Sequence, residues 1–191
     1  NNKRYKLYED KFIIGKSSEN SEVFNVLSIC YRDIEKVTIP DFIEVIGNKS
    51  FYELGKLRHI EFTPNSSLRI INPCAFANTN IESISIPEKV THINKESFSN
   101  CTNLKHVEFA SNSNLQIIDN SAFKETQIEN IIIPSSVTKI GEQAFQYGYN
   151  CKTILKVEFQ EKSKLKTIDC FSFYLCTFTS ISIPSSVTKI G

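Results

Sequence analysis

The 191-residue chain has no block of like charge: 22 Lys and Arg stand against 21 Asp and Glu, for a formal net charge of +1. The long-range field that draws proteins to nucleic acid or anionic lipid is missing, so neither is an expected partner. No run approaches the roughly 18 apolar residues needed to span a bilayer, and no membrane insertion is expected of this segment. Asn1 to Asp10 carries charges without a signal-like apolar block after it. A phosphate-cradling glycine loop, a zinc-type CxxC pair and an activated nucleophile are all lacking. No catalytic residue, cofactor or metal is therefore expected.

What is present is enough apolar material for a buried core, with 40% hydrophobic and 23% charged residues. Self-similarity dominates the rest. The string IPSSVTKIG occupies residues 133 to 141 and recurs unchanged at 183 to 191. Weaker copies precede it, with prolines at 40, 87, 134 and 184, and so at intervals of 47, 47 and 50. Glu61-Phe62, Val107-Glu108-Phe109 and Val157-Glu158-Phe159 lie halfway between. The elementary period is 23 or 24 residues, grouped in pairs. It falls within the 20 to 29 residues typical of leucine-rich repeats.

Each unit opens with an apolar residue, two variable residues, an apolar residue, one variable residue and another apolar residue. Seven such segments are readable: Ile34 to Ile39, Leu57 to Phe62, Ile81 to Ile86, Leu104 to Phe109, Ile128 to Ile133, Ile154 to Phe159 and Phe178 to Ile183. The closing alternation is that of a short strand with one buried face, and the proline that often follows stops the strand. A second apolar cluster comes next, as in Leu115 to Ile118 or Val137 to Ile140. A phenylalanine follows at 51, 76, 98, 123, 145 and 173, usually after Ala or Ser. One aromatic at a fixed place in each turn predicts a stacked core ladder, because a lone unit cannot bury its own apolar face.

Units such as ISIPSSVTKIG followed by AF or SF, then a small or Cys position and a new apolar start, resemble the BspA-like class of leucine-rich repeats over residues 34 to 191. The expected fold is an α/β-type repeat with little helix. It is a leucine-rich-repeat solenoid whose short parallel strands stack into a curved sheet, in about seven repeats of 23–24 residues. Residues 1–33 are expected to be a degenerate N-terminal cap or pre-repeat segment, and 34–191 the solenoid, truncated mid-repeat at its C-terminal end. The resemblance implies a non-enzymatic cell-surface or extracellular module that adheres to host or matrix protein or glycan. An intracellular scaffold for protein–protein interaction is the alternative. Leu54 replaces the usual Cys or Asn of the pattern, and the units around Thr79 and Thr126 are two residues shorter.

In a solenoid, equivalent variable positions form rows across the stacked strands, about 4.8 Å apart. The first row begins Glu35, Arg58, Glu82, Lys105, Glu129 and alternates in sign. The second reads Lys36, His59, Ser83, His106, Asn130, Lys156, Ser180, and the third Thr38, Glu61, Ser85, Glu108, Ile132, Glu158, Ser182. The mixed polar face predicts partner-binding residues at Arg58, His59, Glu61, Lys105, His106, Glu108, Lys156 and Glu158. The stretch after Phe145 is three residues longer than its counterpart after Phe98. Its Tyr147 and Tyr149 either anchor a partner from a surface loop or fold back onto the solenoid.

His59 with Glu61 and His106 with Glu108 form His-x-Glu pairs, but the two histidines are expected about 9 to 10 Å apart, too wide for one metal ion. Six cysteines stand at 30, 74, 101, 151, 170 and 176. Cys101 and Cys151 fall two turns apart, beyond the roughly 7 Å reach of a disulfide, and Cys151 with Cys176 is the better candidate pair. Buried thiols are the default. Sequons stand at Asn48, Asn65 and Asn100.

Overall fold

A computed structural model of the chain describes residues 4–9, 11–18, 22–148, 156–178 and 180–191. Strands β1 Tyr5–Tyr8, β2 Phe12–Lys16 and β3 Phe24–Cys30 form an antiparallel meander. Thirteen parallel rungs follow in chain order: β4 Lys36–Ile39, β5 Val45–Ile46, β6 His59–Phe62, β7 Ile70–Ile71, β8 Ser83–Ile86, β9 His92–Ile93, β10 His106–Phe109, β11 Ile117–Ile118, β12 Asn130–Ile133, β13 Lys139–Ile140, β14 Lys156–Phe159, β15 Thr167–Ile168 and β16 Lys189–Ile190. The four-residue rungs β4, β6, β8, β10, β12 and β14 make one sheet. The two-residue rungs make the other, which β3 joins through the parallel register Val26↔Val45 and Leu27↔Ile46. The chain is thus a flattened coil with a sheet on two sides, and no helix occurs among the described residues.

The sequence pattern explains the rungs. In each long rung the second residue points inward: Val37, Ile60, Ile84, Val107, Ile131 and Val157 are at most 7% exposed, while the residues on either side face solvent. That is the period of two that a half-buried strand requires. In the short rungs the second residue, Ile46, Ile71, Ile93, Ile118, Ile140 or Ile168, enters the same core.

The corner between a short rung and the next long rung is organised by the phenylalanines. Phe51, Phe76, Phe98, Phe123, Phe145 and Phe173 stack ring on ring, with centroids 4.8 to 5.4 Å apart and planes within 18°. The residues two before and two after the rings of Phe51, Phe76, Phe98 and Phe123 carry the backbone through the left-handed region. Lys49, Glu53, Cys74, Asn78, Glu96, Asn100, Ser121 and Glu125 have φ between 55° and 59°. This conformation aims alternate N–H groups along the solenoid axis. Glu96, Phe98 and Asn100 donate to the carbonyls of Asn120, Ala122 and Lys124 at 3.0, 2.8 and 2.7 Å, and every corner from Phe51 to Phe145 repeats the three bonds. The corner is a third ladder running turn to turn, which satisfies backbone groups that would otherwise be buried without partners.

Small side chains complete the corner. Before the ring, the buried hydroxyls of Ser50, Ser97 and Ser172 donate to carbonyls of their own turn and the preceding one. Three residues after the ring, Thr79 and Thr126 donate to the carbonyls of Phe76 and Phe123, and the Cys101 thiol donates back to Phe76. The shortened Thr units therefore fill the Cys site with the same hydrogen-bonding role. Leu54 fills it by packing alone, at 3% exposure.

The seventh long segment departs from the expected pattern. Residues 180–183 form no strand, and Ile183, counterpart of the fully buried Ile133, is 42% exposed. An open groove of about 580 Å³ lies between this segment and β14. The short rung β16 keeps its pairing, Thr167↔Lys189 and Ile168↔Ile190.

Candidate functional site

The outward residues of the long rungs form one continuous polar face, because parallel register places equivalent positions side by side: Lys36↔His59, His106↔Ser83 and Asn130↔Lys156. Arg58, His59, Glu61, Lys105, His106, Glu108, Lys156 and Glu158 all lie exposed on this face. The first row pairs two by two, Arg58 with Glu82 at 3.2 Å and Lys105 with Glu129 at 3.8 Å. Lys36 reaches diagonally to Glu61 at 2.7 Å, and Lys156 closes on Glu158 within its own rung at 2.6 Å. Each side chain in these pairs keeps 43% to 64% exposure, so each pair contributes at most about 1 kcal/mol to stability. Glu108 enters no ion pair among the described residues and lies 3.5 Å from the Ser85 hydroxyl.

A further charge pair sits just before the long rungs. Lys56 and Asp33 meet at 2.8 Å. Each is fully exposed; the hydrogen bond holds the Asp33 carboxyl below the usual range and the Lys56 ammonium above it.

The last residue of each long rung gives the face its relief. Ile39, Ile86 and Ile133 are buried, whereas Phe62, Phe109 and Phe159 occupy the same position in alternate turns and remain half-buried against the core. An isoleucine fits the inward slot, and a phenylalanine is too long for it. Open grooves lie beside these rings. One of about 430 Å³ runs between Phe62 and Phe109 over Ser85–Pro87, and one of about 390 Å³ lies against Phe109 over Ile131 and Ile132. The groove of about 580 Å³ already described lies against Phe159. Ile132, flanked in its row by Glu108 and Glu158, is 53% exposed.

Tyr147 is not on the exposed face. It is fully buried, its hydroxyl donates to the Ile128 carbonyl, and its N–H donates to Tyr174. The Tyr147 ring sits in the core, where its hydroxyl is satisfied by the hydrogen bond. Tyr149 lies outside the described residues, as does Cys151 of the proposed Cys151–Cys176 pair. The Cys176 thiol donates to the Phe145 carbonyl. Cys30, Cys74, Cys101 and Cys170 are unbridged. Burial pushes the Cys30 thiol up to about 12 and that of Cys101 up to about 11, so neither is an ambient nucleophile. Among the described residues no three His, Cys, Asp or Glu side chains gather where a metal ion would sit. Asn48, Asn65 and Asn100 are exposed, with Asn100 donating to the Asn78 side chain.

A parallel-rung solenoid with an aromatic ladder and a corrugated polar face defines a leucine-rich-repeat protein. The chain belongs to the family of BspA type leucine rich repeat regions, whose model matches six copies over residues 25–152 and 148–191. The match begins within the segment taken from the sequence as a cap, at the strand that joins the short-rung sheet. No curated protein matches the chain. Among solved structures it is similar to the pneumococcal vaccine antigen PcpA, with 29% identity and a TM-score of 0.60 over 68% of this chain. The chain spans 31% of that antigen. It shares its fold with a leucine rich cell surface protein of Faecalibacterium prausnitzii A2-165, at 15% identity and a TM-score of 0.50, covering 97% of this chain and 73% of that one.

Proposed function

We propose that this chain is a non-enzymatic recognition module, displayed at a cell surface, that binds a protein or glycan of a host or surrounding matrix through its long-rung face. The observation that carries this reading is the continuity of that face: six parallel rungs in one sheet present paired and single charges, open histidines and half-buried aromatics side by side. A vaccine antigen and a leucine rich cell surface protein among the similar structures support the location. The His-x-Glu pairs stand open on the face with no enclosed site around them, and serve as contacts.

The test uses purified protein on surfaces coated with cell-derived extracellular matrix. It compares the native chain with a variant carrying Glu61→Lys, Lys105→Glu, Glu108→Lys and Lys156→Glu. Saturable binding by the native chain that the variant loses is the expected result. Equal binding by both overturns the assignment to this face, and no binding by the native chain overturns the adhesive role.

A further inference from the structure

The sequence has no block of like charge, yet the fold assembles one from three separate segments. Residues 134–139, 160–169 and 184–189 lead from the long-rung side into the short rungs β13, β15 and β16. Parallel pairing sets them side by side. Thr167 lies between Lys139 and Lys189, the Lys166 N–H donates to the Thr138 carbonyl at 2.9 Å, and the Lys166 carbonyl accepts from Thr188 at 2.9 Å. Together the segments hold Lys139, Lys162, Lys164, Lys166 and Lys189 against the carboxylates of Glu161 and Asp169, a net +3 in a chain whose total is +1.

The middle segment carries the excess. Its turn, Gln160-Glu161-Lys162-Ser163-Lys164-Leu165-Lys166, is the counterpart of Ala110-Ser111-Asn112-Ser113-Asn114-Leu115-Gln116. Three neutral side chains of one turn are lysines in the other, while Leu115 and Leu165 are both fully buried. Lys162, Lys164 and Lys166 are exposed and enter no ion pair among the described residues. Lys139 and Lys189 reach Asp169 from either side, at 3.1 and 3.7 Å, so one carboxylate is shared between two ammonium groups. Neighbouring rungs are about 4.8 Å apart, inside the roughly 8 to 10 Å over which salt screens charge, and the lysines act as one field.

We propose that this corner binds a linear sulfated polysaccharide, its lysines holding sulfate groups and the interleaved hydroxyls meeting the sugar. The surface is separate from the long-rung face and does not depend on it. An ammonium is a point charge that holds such an anion without bidentate geometry. Ser163, Ser185 and Ser186 share with Lys162 the open groove beside β14, where the buried Ser186 hydroxyl has no hydrogen-bond partner among the described residues. Ser135 lies beside Lys164, whose N–H donates to its carbonyl at 2.9 Å. Other polyanions fit less well. None of the three segments carries an aromatic side chain, so nucleic-acid bases find no ring to stack on. Val137, Leu165 and Ile168 are buried in the core rather than projecting toward an anionic bilayer.

The experiment titrates a heparin oligosaccharide into the protein by calorimetry at physiological ionic strength, with the fully desulfated oligosaccharide as control. One variant carries Lys162→Asn, Lys164→Asn and Lys166→Gln, the residues of the matching turn, which preserve the corner. A second carries Lys36→Gln, Lys56→Gln and Lys105→Gln, which remove the same charge elsewhere. The native chain is expected to bind the sulfated oligosaccharide, more weakly as salt rises, and to leave the desulfated one unbound. The corner variant should lose about ten-fold or more in affinity, and the charge-matched variant less than about two-fold. Equal losses in the two variants reduce the binding to net charge and overturn the proposal. So does the absence of binding, or equal binding of the desulfated oligosaccharide. Tighter binding of a single-stranded oligonucleotide or of phosphatidylserine vesicles overturns it as well.

Discussion

Phe98 and Phe123 lie ring over ring, their centroids 5.1 Å apart and their planes within 3°, and neither is exposed to solvent. Each ring covers its neighbour in the next turn, and a solenoid turn has only its neighbours for support. Phe98→Ala therefore opens a cavity in the middle of the ladder and is expected to cost about 3 to 5 kcal/mol. Phe62→Ala, at a half-buried rung end, is expected to cost less than half of that. Urea unfolding of the two variants reads the difference, and equal losses would remove the ladder from its place as the main brace of the core.

The turn that carries each ring depends on strained positions. Glu125 has φ 58° and an exposed side chain, a conformation that costs an L-residue roughly 1 kcal/mol and glycine nothing steric. Glu125→Gly is expected to stabilise the chain by a few tenths of a kcal/mol, and β-branched Glu125→Val to destabilise it by about 1 kcal/mol or more. Thermal midpoints measured side by side must move in opposite directions. Movement in the same direction would mean that the side chain, rather than the backbone, decides stability at this corner.

That corner also marks where the sequence stopped being readable. The long rungs were legible because Val37, Ile60 and their equivalents alternate strictly with polar neighbours, and the ladder was legible because Phe recurs at one place in each turn. The hydrogen-bonded corner ladder was not. Left-handed backbone is normally announced by glycine or asparagine, and here the positions are held by Lys49, Glu53, Cys74, Glu96, Ser121, Glu125 and Gln143, with asparagine only at 78 and 100. Tertiary pairing, not local preference, holds them there. On the candidate face, charge rows followed directly from register, but the half-burial of Phe62, Phe109 and Phe159 depended on a slot whose depth no spacing reveals. Tyr147 was ambiguous for a similar reason, since a longer turn can project outward or fold inward.

The thiols provide a pH-dependent test. Desolvation raises the Cys101 thiol in the folded chain to about 11 from an ordinary value of 9.0. A raised folded value means that the thiol's contribution is fully present below about pH 9 and is lost as pH rises toward about 11. The urea midpoint is expected to fall over that window in the native chain and to fall less in Cys101→Ala. The Phe76 carbonyl keeps the Thr79 hydroxyl in that variant, so no acceptor is orphaned. At neutral pH a thiol reagent should label exposed Cys170 rapidly and reach Cys101 only on unfolding. Rapid labelling of Cys101 in the folded chain would contradict its burial.

Charge on the long-rung face is expected to be nearly free of consequence for folding. Lys105 and Glu129 meet at 3.8 Å with about half of each side chain in solvent. Lys105→Glu should therefore shift stability by less than about 1 kcal/mol. An unfolding midpoint close to that of the native chain is the measurement that permits loss of matrix binding in the charge-reversed protein to be read as loss of contacts. A shift well beyond that bound would show that the sign alternation of the row is structural.

Tyr147 separates the two roles that a tyrosine in a lengthened turn can take. Its ring is fully buried and its hydroxyl donates to the carbonyl of Ile128, a residue that is itself buried. Tyr147→Phe keeps the ring and deletes the donor, leaving that carbonyl short of a partner in a dry environment, which costs about 1 to 3 kcal/mol. The chain should lose stability by this amount in urea and bind matrix-coated surfaces as before. A partner anchor would behave in the opposite way, because removing a hydroxyl that faced a ligand would leave the unfolding midpoint in place and weaken binding. Measuring both quantities on the one variant decides between them.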